Sequence, residues 1–369
     1  MIKDIRIYPW KTYSDTSYVL TKISTPDSSY STITALSDEF IKSKKRLSSL
    51  RKNLAAMDED YWESADEMLE EINVKSDSDP GLLLGTSLSM CKAATKGDLW
   101  MIDEVKQNMI FPRVWLSVIR GRVSGSGSDW RDFMILPEKV KDTLDMQDRL
   151  IGSWSEIGEE LNRKKTLAGK DIENRWISSM NTEQTLELLS GICAEMNLSL
   201  GIDCGSWRPS KNNIYDYRNE KKKLTEEKHK DFLKEMCNKY AIKYLEDPFV
   251  PGSYDLLEEL KTGLKAEISI DVRNENSFQK VLENKNVTIL DNSPDLFFNF
   301  SGIKKYVKFI SEKGKNAVFS APEYAIQDPW VADLCIALKV PFIKADPSTG
   351  KGVLNRLSEL WHDVPNEVI

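Results

Sequence analysis

Apolar and polar residues alternate at the start of the chain. Ile5 and Ile7, then Tyr18 and Leu20, recur on a period of two, so residues 1–23 predict strands. The Ser/Thr-rich stretch Ser24–Ser37 reads as turns with a short strand. Helical spacing then takes over, through Phe40, Leu47 and Leu50, next Trp62, Met68 and Leu69, and finally Leu82–Ala94. Small β elements followed by a helical block predict an N-terminal α+β cap domain over residues 1–110.

After Phe111-Pro112 the pattern changes. Short apolar runs end on a polar residue, and each leads into a helix-length amphipathic stretch. The runs are Leu198–Asp203, Ile242–Glu246, Ala266–Asp271, Leu296–Asn299, Ala317–Ser320 and Pro341–Lys344. Repeated strand–helix alternation builds a parallel sheet, and this many units predict an α/β fold closed into a βα-barrel over residues 111–369. The strand ends of such a barrel open into one mouth, so Asp203, Glu246, Asp271, Asn299, Ser320 and Lys344 are expected to converge there. Three crowded carboxylates repel one another unless a cation lies between them. Asp203, Glu246 and Asp271 are therefore candidate metal ligands, and a hard ion such as Mg2+ fits their oxygen chemistry. Lys344 would add a positive charge beside the metal, suited to holding a small carboxylate or its enolate.

Composition narrows the partners. A formal net charge of −7 argues against a nucleic-acid surface. The basic cluster from Lys221 to Lys230 is interleaved with Glu226 and Glu227 and reads as a solvated helix face. Five scattered cysteines without a CxxC pair fit a reducing cytoplasm better than a disulfide framework. No apolar run is long enough to span a membrane, and Met1-Ile2-Lys3-Asp4 leads straight into a strand-like segment, so a cytoplasmic chain with no membrane partner is expected.

Several segments resemble the enolase family. Tyr244-Leu-Glu-Asp-Pro-Phe249 is similar to the family's strand motif whose Glu binds magnesium, and Gly201-Ile-Asp-Cys204 to the motif carrying the first metal Asp. Asp132-Phe-Met-Ile-Leu-Pro137 resembles an early barrel segment, Gly81–Ala94 the helix joining cap to barrel, and Trp330–Leu334 a stretch near the C-terminus. The matches occur in family order from about Asp58 to the last helix. The resemblance implies a ββαα(βα)6 barrel whose second strand is antiparallel, a smaller N-terminal cap, and a homodimer. It also implies the magnesium-dependent interconversion of 2-phosphoglycerate and phosphoenolpyruvate.

Departures from that family fall on the chemistry. Enolases carry a catalytic lysine on the strand after the third metal ligand, where this reading finds Asn299, and an amide is no base near neutral pH. The family's His-Arg-Ser run, which grips phosphate, reads Ser320-Ala321-Pro322-Glu323-Tyr324, with Glu323 expected near the phosphate position. Neither His229 nor His362 is placed to serve the mouth. The loop Gly121–Ser128 is not a phosphate-binding loop, because no Gly-Lys-Ser/Thr follows, and Ser348–Gly352, which lacks the Ser or Thr after its lysine, reads as a plain loop. For the family's acid system, Asp132 and either Asp171 or Glu173 are the candidates. The family's mobile lid has no equivalent in Ser24–Ser37, nor its interface Arg-Gly in Tyr13–Thr16.

Two main readings follow. In one, an enzyme of altered acid specificity uses Mg2+ at Asp203, Glu246 and Asp271, with Lys344 as enolate stabiliser or base and Asp132 with Asp171 or Glu173 moving protons. Its ligand is a small carboxylate or phospho-acid. In the other, the same fold is a non-catalytic binding or scaffold protein. A true phosphopyruvate hydratase is a third, weaker reading.

Overall fold

A computed structural model describes residues 1–11, 16–36, 48, 50–54, 57–58, 60–75, 79–102, 109–123, 127–205, 214–272 and 278–363. The readings of Tyr13–Asp15, Phe40 and Leu47 lie outside these residues.

The N-terminal alternation folds as a meander of β1 (Asp4–Trp10), β2 (Tyr18–Ser24) and β3 (Ser29–Ala35), antiparallel throughout. Its inner face packs on the helix Pro80–Ala94, whose start is set by Asp79: the carboxylate accepts from the Gly81 and Leu82 amides, and Pro80 follows at a position that needs no donor. That helix is buried almost all round because the helix Trp62–Lys75 covers part of its remaining surface. Ile5, Val19, Ile23, Leu69, Leu82 and Leu83 form one buried cluster here. Tyr18, Ile33, Leu84, Leu88 and Cys91 belong instead to the same cluster as the barrel interior. The apolar core therefore runs on past residue 110.

Eight strands then close into a barrel: β4 (Arg113–Arg120), β5 (Asp132–Pro137), β8 (Leu198–Asp203), β11 (Tyr244–Glu246), β12 (Glu267–Asp271), β13 (Ile289–Asn292), β14 (Asn316–Ser320) and β15 (Phe342–Ala345). Strand β15 pairs back onto β4 and completes the ring. All neighbours are parallel except β5, which is antiparallel to both β4 and β8. After β4 and β5 come the helices Thr143–Arg163 and Thr182–Met196, and then six strand–helix units. Side hairpins β6 (Leu167–Lys170) with β7 (Trp176–Ser178), and β9 (Ile214–Tyr217) with β10 (Lys222–Thr225), flank the ring.

Three expectations are corrected. Leu296–Asn299 is not a strand. The β-branched run before it forms β13, Pro294 opens a short 3-10 turn, and Asn299 caps the helix Phe300–Glu312 by accepting from the Gly302 amide at 2.9 Å. Ser348–Gly352 is the first part of the helix Pro347–Asp363 rather than a loop, because Asp346 accepts from the Ser348 and Thr349 amides. Lys222 and Lys223 belong to β10, and Lys230 is buried beside Glu227 and Glu259, so the basic cluster is not one solvated helix face.

No described helix is long and apolar enough to cross a membrane. All five cysteines are buried and unpaired.

Candidate functional site

The barrel's topology decides which residues meet. Parallel strands deliver their last residues to the mouth, whereas antiparallel β5 delivers its first. In register, Asp132 stands opposite Asp203, and Asp203 opposite Glu246. On the far side Asp271 pairs with Asp291, and Ser320 with Lys344. The residue just before β5, Arg131, is tied into the same level by its amide, which donates to the Asp203 carbonyl at 2.9 Å.

Two cations bridge Asp203 and Glu246. The Arg131 guanidinium donates through Nε to Asp203 Oδ2 at 2.8 Å, also through Nη2 to that atom, and to Glu246 Oε1 at 3.1 Å. Lys344 Nζ donates to the same two atoms, at 2.8 and 2.6 Å, and to Asp291 Oδ2 at 3.4 Å. The other oxygens are engaged too: Asp203 Oδ1 accepts from the Gly205 amide and Glu246 Oε2 from the Tyr244 hydroxyl. Asp203 and Glu246 are both fully buried.

These contacts set the charges. Burial disfavours the Asp203 carboxylate, but Lys344 and Arg131 outweigh it and hold that group well below the usual range. Burial and the neighbouring Asp203 push Glu246 well up, so Asp203 is the stronger acid of the pair. Burial pulls Lys344 down, yet Asp203, Glu246 and Asp291 more than offset it and raise it above an ordinary lysine. An ammonium held this way stabilises negative charge and is a poor proton acceptor. Asp247, one residue past Glu246, is pushed up to about 7, chiefly by burial and then by Asp203.

Beside this cluster lies a cavity of about 330 Å³ lined by Arg120, Arg131, Arg175 and Lys344, together with Asp132, Glu173 and Asp346. The sequence-predicted acids gather around one arginine. Arg175 donates to Asp132 Oδ1 at 3.0 Å and to Asp171 Oδ2 at 2.8 Å, and also pairs with Glu173. Asp132 takes a second partner in Arg120, at 3.3 Å. Glu323 is absent from this lining and accepts from the Tyr18 hydroxyl of β2 at 2.7 Å, so it is not the negative charge expected in the mouth.

Tested as a magnesium site, the expected trio divides. Glu246 and Asp271 lie with Asp247 in a buried group whose carboxylate oxygens are within 4.8 Å of one another, which can hold a metal ion. Asp203 is not part of that group; its Oδ2 receives both Arg131 and Lys344. Asn299 ends no strand, and the strand after Asp271 ends on Asp291-Asn292, where Asp291 accepts from the Ser320 hydroxyl at 2.8 Å.

Arg131, Asp247, Asp291, Arg120 and Arg175 were the residues that strand-end reasoning passed over. Asp247 and Arg131 directly neighbour residues it singled out, and Thr288-Ile-Leu-Asp291 is itself a β-branched run ending on a carboxylate. Arg120 closes the apolar run Val114–Ile119 in the same way, whereas nothing in the linear pattern marks Arg175. Of the two histidines, His229 is fully buried in the helix Glu226–Lys239, stacked on Tyr215, and has no part in the mouth lining.

A closed eight-stranded βα-barrel with carboxylates and arginines crowded at one mouth defines the class of protein, and sequence comparison gives it relatives. The chain is 23% identical over 249 residues to the enolase of Archaeoglobus fulgidus, a stretch covering 65% of this chain and 62% of that protein. It is 22% identical over 303 residues to the enolase of Sulfurimonas denitrificans, covering 76% and 72%, and 24% identical over 304 residues to that of Sulfurisphaera tokodaii, covering 76% and 71%. The chain spans 62% and 61% of the length of the Archaeoglobus and Methanothermobacter thermautotrophicus enolases. No protein-family model matches it. The chain is a distant relative of the enolases.

Proposed function

We propose that the barrel mouth binds a small, multiply charged organic acid, a carboxylate or phospho-acid, and that Lys344 acts there as a fixed positive charge rather than as a base. The observation that carries this reading is the cavity lining: Arg120, Arg131, Arg175 and Lys344 face one space of about 330 Å³. Guanidinium groups favour carboxylate and phosphate oxygens through paired hydrogen bonds. The carboxylates on the same lining are already committed, Asp132 and Glu173 to arginines and Asp346 to helix amides. Substrate proton abstraction by any of them would first have to break those bonds.

Calorimetric titration with 2-phosphoglycerate, phosphoenolpyruvate and unphosphorylated 2-hydroxy acids tests the reading. Saturable binding of at least one acid is expected, with no phosphoenolpyruvate absorbance developing from 2-phosphoglycerate. Turnover of 2-phosphoglycerate that disappears in Lys344→Ala would sink it.

A second reading is favoured by the Glu246–Asp247–Asp271 group. There the chain is a magnesium-dependent lyase of enolase type with altered acid specificity. The bound Mg2+ would act as a Lewis acid on the substrate carboxylate, while Asp132, Asp171 and Glu173 would orient Arg175 against it. Turnover of any 2-hydroxy or 2-phospho acid that requires Mg2+ would favour this second reading over the first.

A further inference from the structure

Enolase-type barrels are expected to neutralise their strand-end carboxylates with a divalent ion, and here the atoms that ion would bridge are already taken. Asp203 Oδ2 and Glu246 Oε1 each receive hydrogen bonds from both Arg131 and Lys344. Two monovalent cations sum to the charge of one divalent ion. Arginine cannot shed its proton in a protein, so its charge is permanent. We infer that the Arg131 guanidinium, together with the Lys344 ammonium, takes the place of a divalent cation between Asp203 and Glu246, making this half of the site independent of metal.

The fold provides for that arginine. Arg131 lies immediately before β5, and both of its backbone groups are held. Its amide donates to the Asp203 carbonyl at 2.9 Å, and its carbonyl accepts from the Gly121 amide at 2.9 Å. Its stem passes over Gly205, which has a positive φ of 69°. A Cβ on Gly205 would approach the Arg131 Cβ to 3.0 Å and Arg122 Nη1 to 2.9 Å. The guanidinium also approaches Asp132 at 3.7 Å, so it is oriented from a third side. A metal ion entering between Asp203 and Glu246 would have to displace this side chain or lie in contact with two fixed positive charges. The Glu246–Asp247–Asp271 group shares Glu246 but does not include Asp203, and is a separate matter.

The test is a Mn2+ titration followed by electron paramagnetic resonance and calorimetry, comparing the intact chain, Asp203→Asn, Arg131→Gln and the double variant. The intact chain is expected to show no Mn2+ site that depends on Asp203, so any binding survives Asp203→Asn. Arg131→Gln, with the positive charge removed, is expected to gain Mn2+ affinity by about ten-fold or more, and the double variant to lose that gain. Arg131→Lys, which keeps the charge, should behave like the intact chain. A Mn2+ site in the intact chain that Asp203→Asn abolishes would overturn the inference, and so would an Arg131→Gln protein with unchanged affinity. Should Arg131→Gln not fold, the comparison of the intact chain with Asp203→Asn still decides. Acid binding measured in chelator reports separately on the proposed function, since the mouth can bind an anion whichever cation neutralises Asp203.

Discussion

His229 shows how one side chain can be kept neutral by its surroundings in a way its neighbours in sequence do not suggest. Trp130 Nε1 donates to the Tyr217 hydroxyl at 3.2 Å, and that hydroxyl lies 2.9 Å from His229 Nδ1. His229 Nε2 lies 2.8 Å from the Pro248 carbonyl, which can only accept. The ring is therefore neutral, with its proton on Nε2, and burial lowers its pKa from 6.5 to about 4. The unfolded chain binds a proton there between about pH 6.5 and 4 and the folded chain does not, so stability falls as pH drops through that window. The shift is worth at most about 3 kcal/mol. Urea unfolding from pH 7 to 4 should show this loss, and a shallower pH slope is expected in His229→Gln. Arg175 is the other residue with a sharp expectation. It lines the mouth and is braced by Asp132 and Asp171. Arg175→Met should weaken binding of the acid ligand by about ten-fold or more, read by calorimetry, since charge-assisted bonds contribute about 1.5–3 kcal/mol each.

Among the elements, the helix Phe300–Glu312 illustrates what a short apolar run conceals. Leu296-Phe-Phe-Asn299 reads as a strand because it is apolar and ends on a polar residue. A run of four cannot distinguish a strand from the approach to a helix, and here the Pro294 turn and the Asn299 cap decide. Asn299 also donates from Nδ2 to the Asp66 carbonyl at 3.3 Å, so its amide serves both the helix and the seam with the N-terminal elements. Asn299→Ala should cost about 1–2 kcal/mol in thermal or urea unfolding, whereas a strand-end Asn facing a ligand would chiefly alter binding. The six βα runs were otherwise legible: five of them fall on observed strands β8, β11, β12, β14 and β15, because buried parallel strands are apolar almost throughout and need no alternation.

For the molecule as a whole, the seam between the N-terminal elements and the barrel is held by polar groups buried in an apolar surround. Asp66 is fully buried, accepts from the Ser87 hydroxyl and, at 2.8 Å, from the Ser301 amide. Lys92 bridges to Asp328 at 2.9 Å, and Asp328 also accepts from the Ile33 amide. Asp66→Ala would leave the Ser301 amide unpartnered by this carboxylate and should destabilise the protein by about 1–3 kcal/mol. Because Tyr18, Ile33 and Leu88 share the barrel's core, far-UV circular dichroism and tryptophan fluorescence should lose signal together, at a lower urea midpoint than in the parent.

The barrel, the polar strand ends and the likeness to enolases were written in local features: apolar runs of strand length, each closed by a polar residue and separated by helix-length stretches. Those signals survive in the linear chain because a strand's side chains repeat over a few residues. What neutralises the carboxylates was not local. Arg131 reaches Asp203 across 72 positions and Glu246 across 115, and it does so only because β5 runs against its neighbours and begins at the mouth. Strand direction is settled by the closure of the whole sheet, so only the tertiary structure decided that an arginine would join the strand-end Lys344 between the two acids.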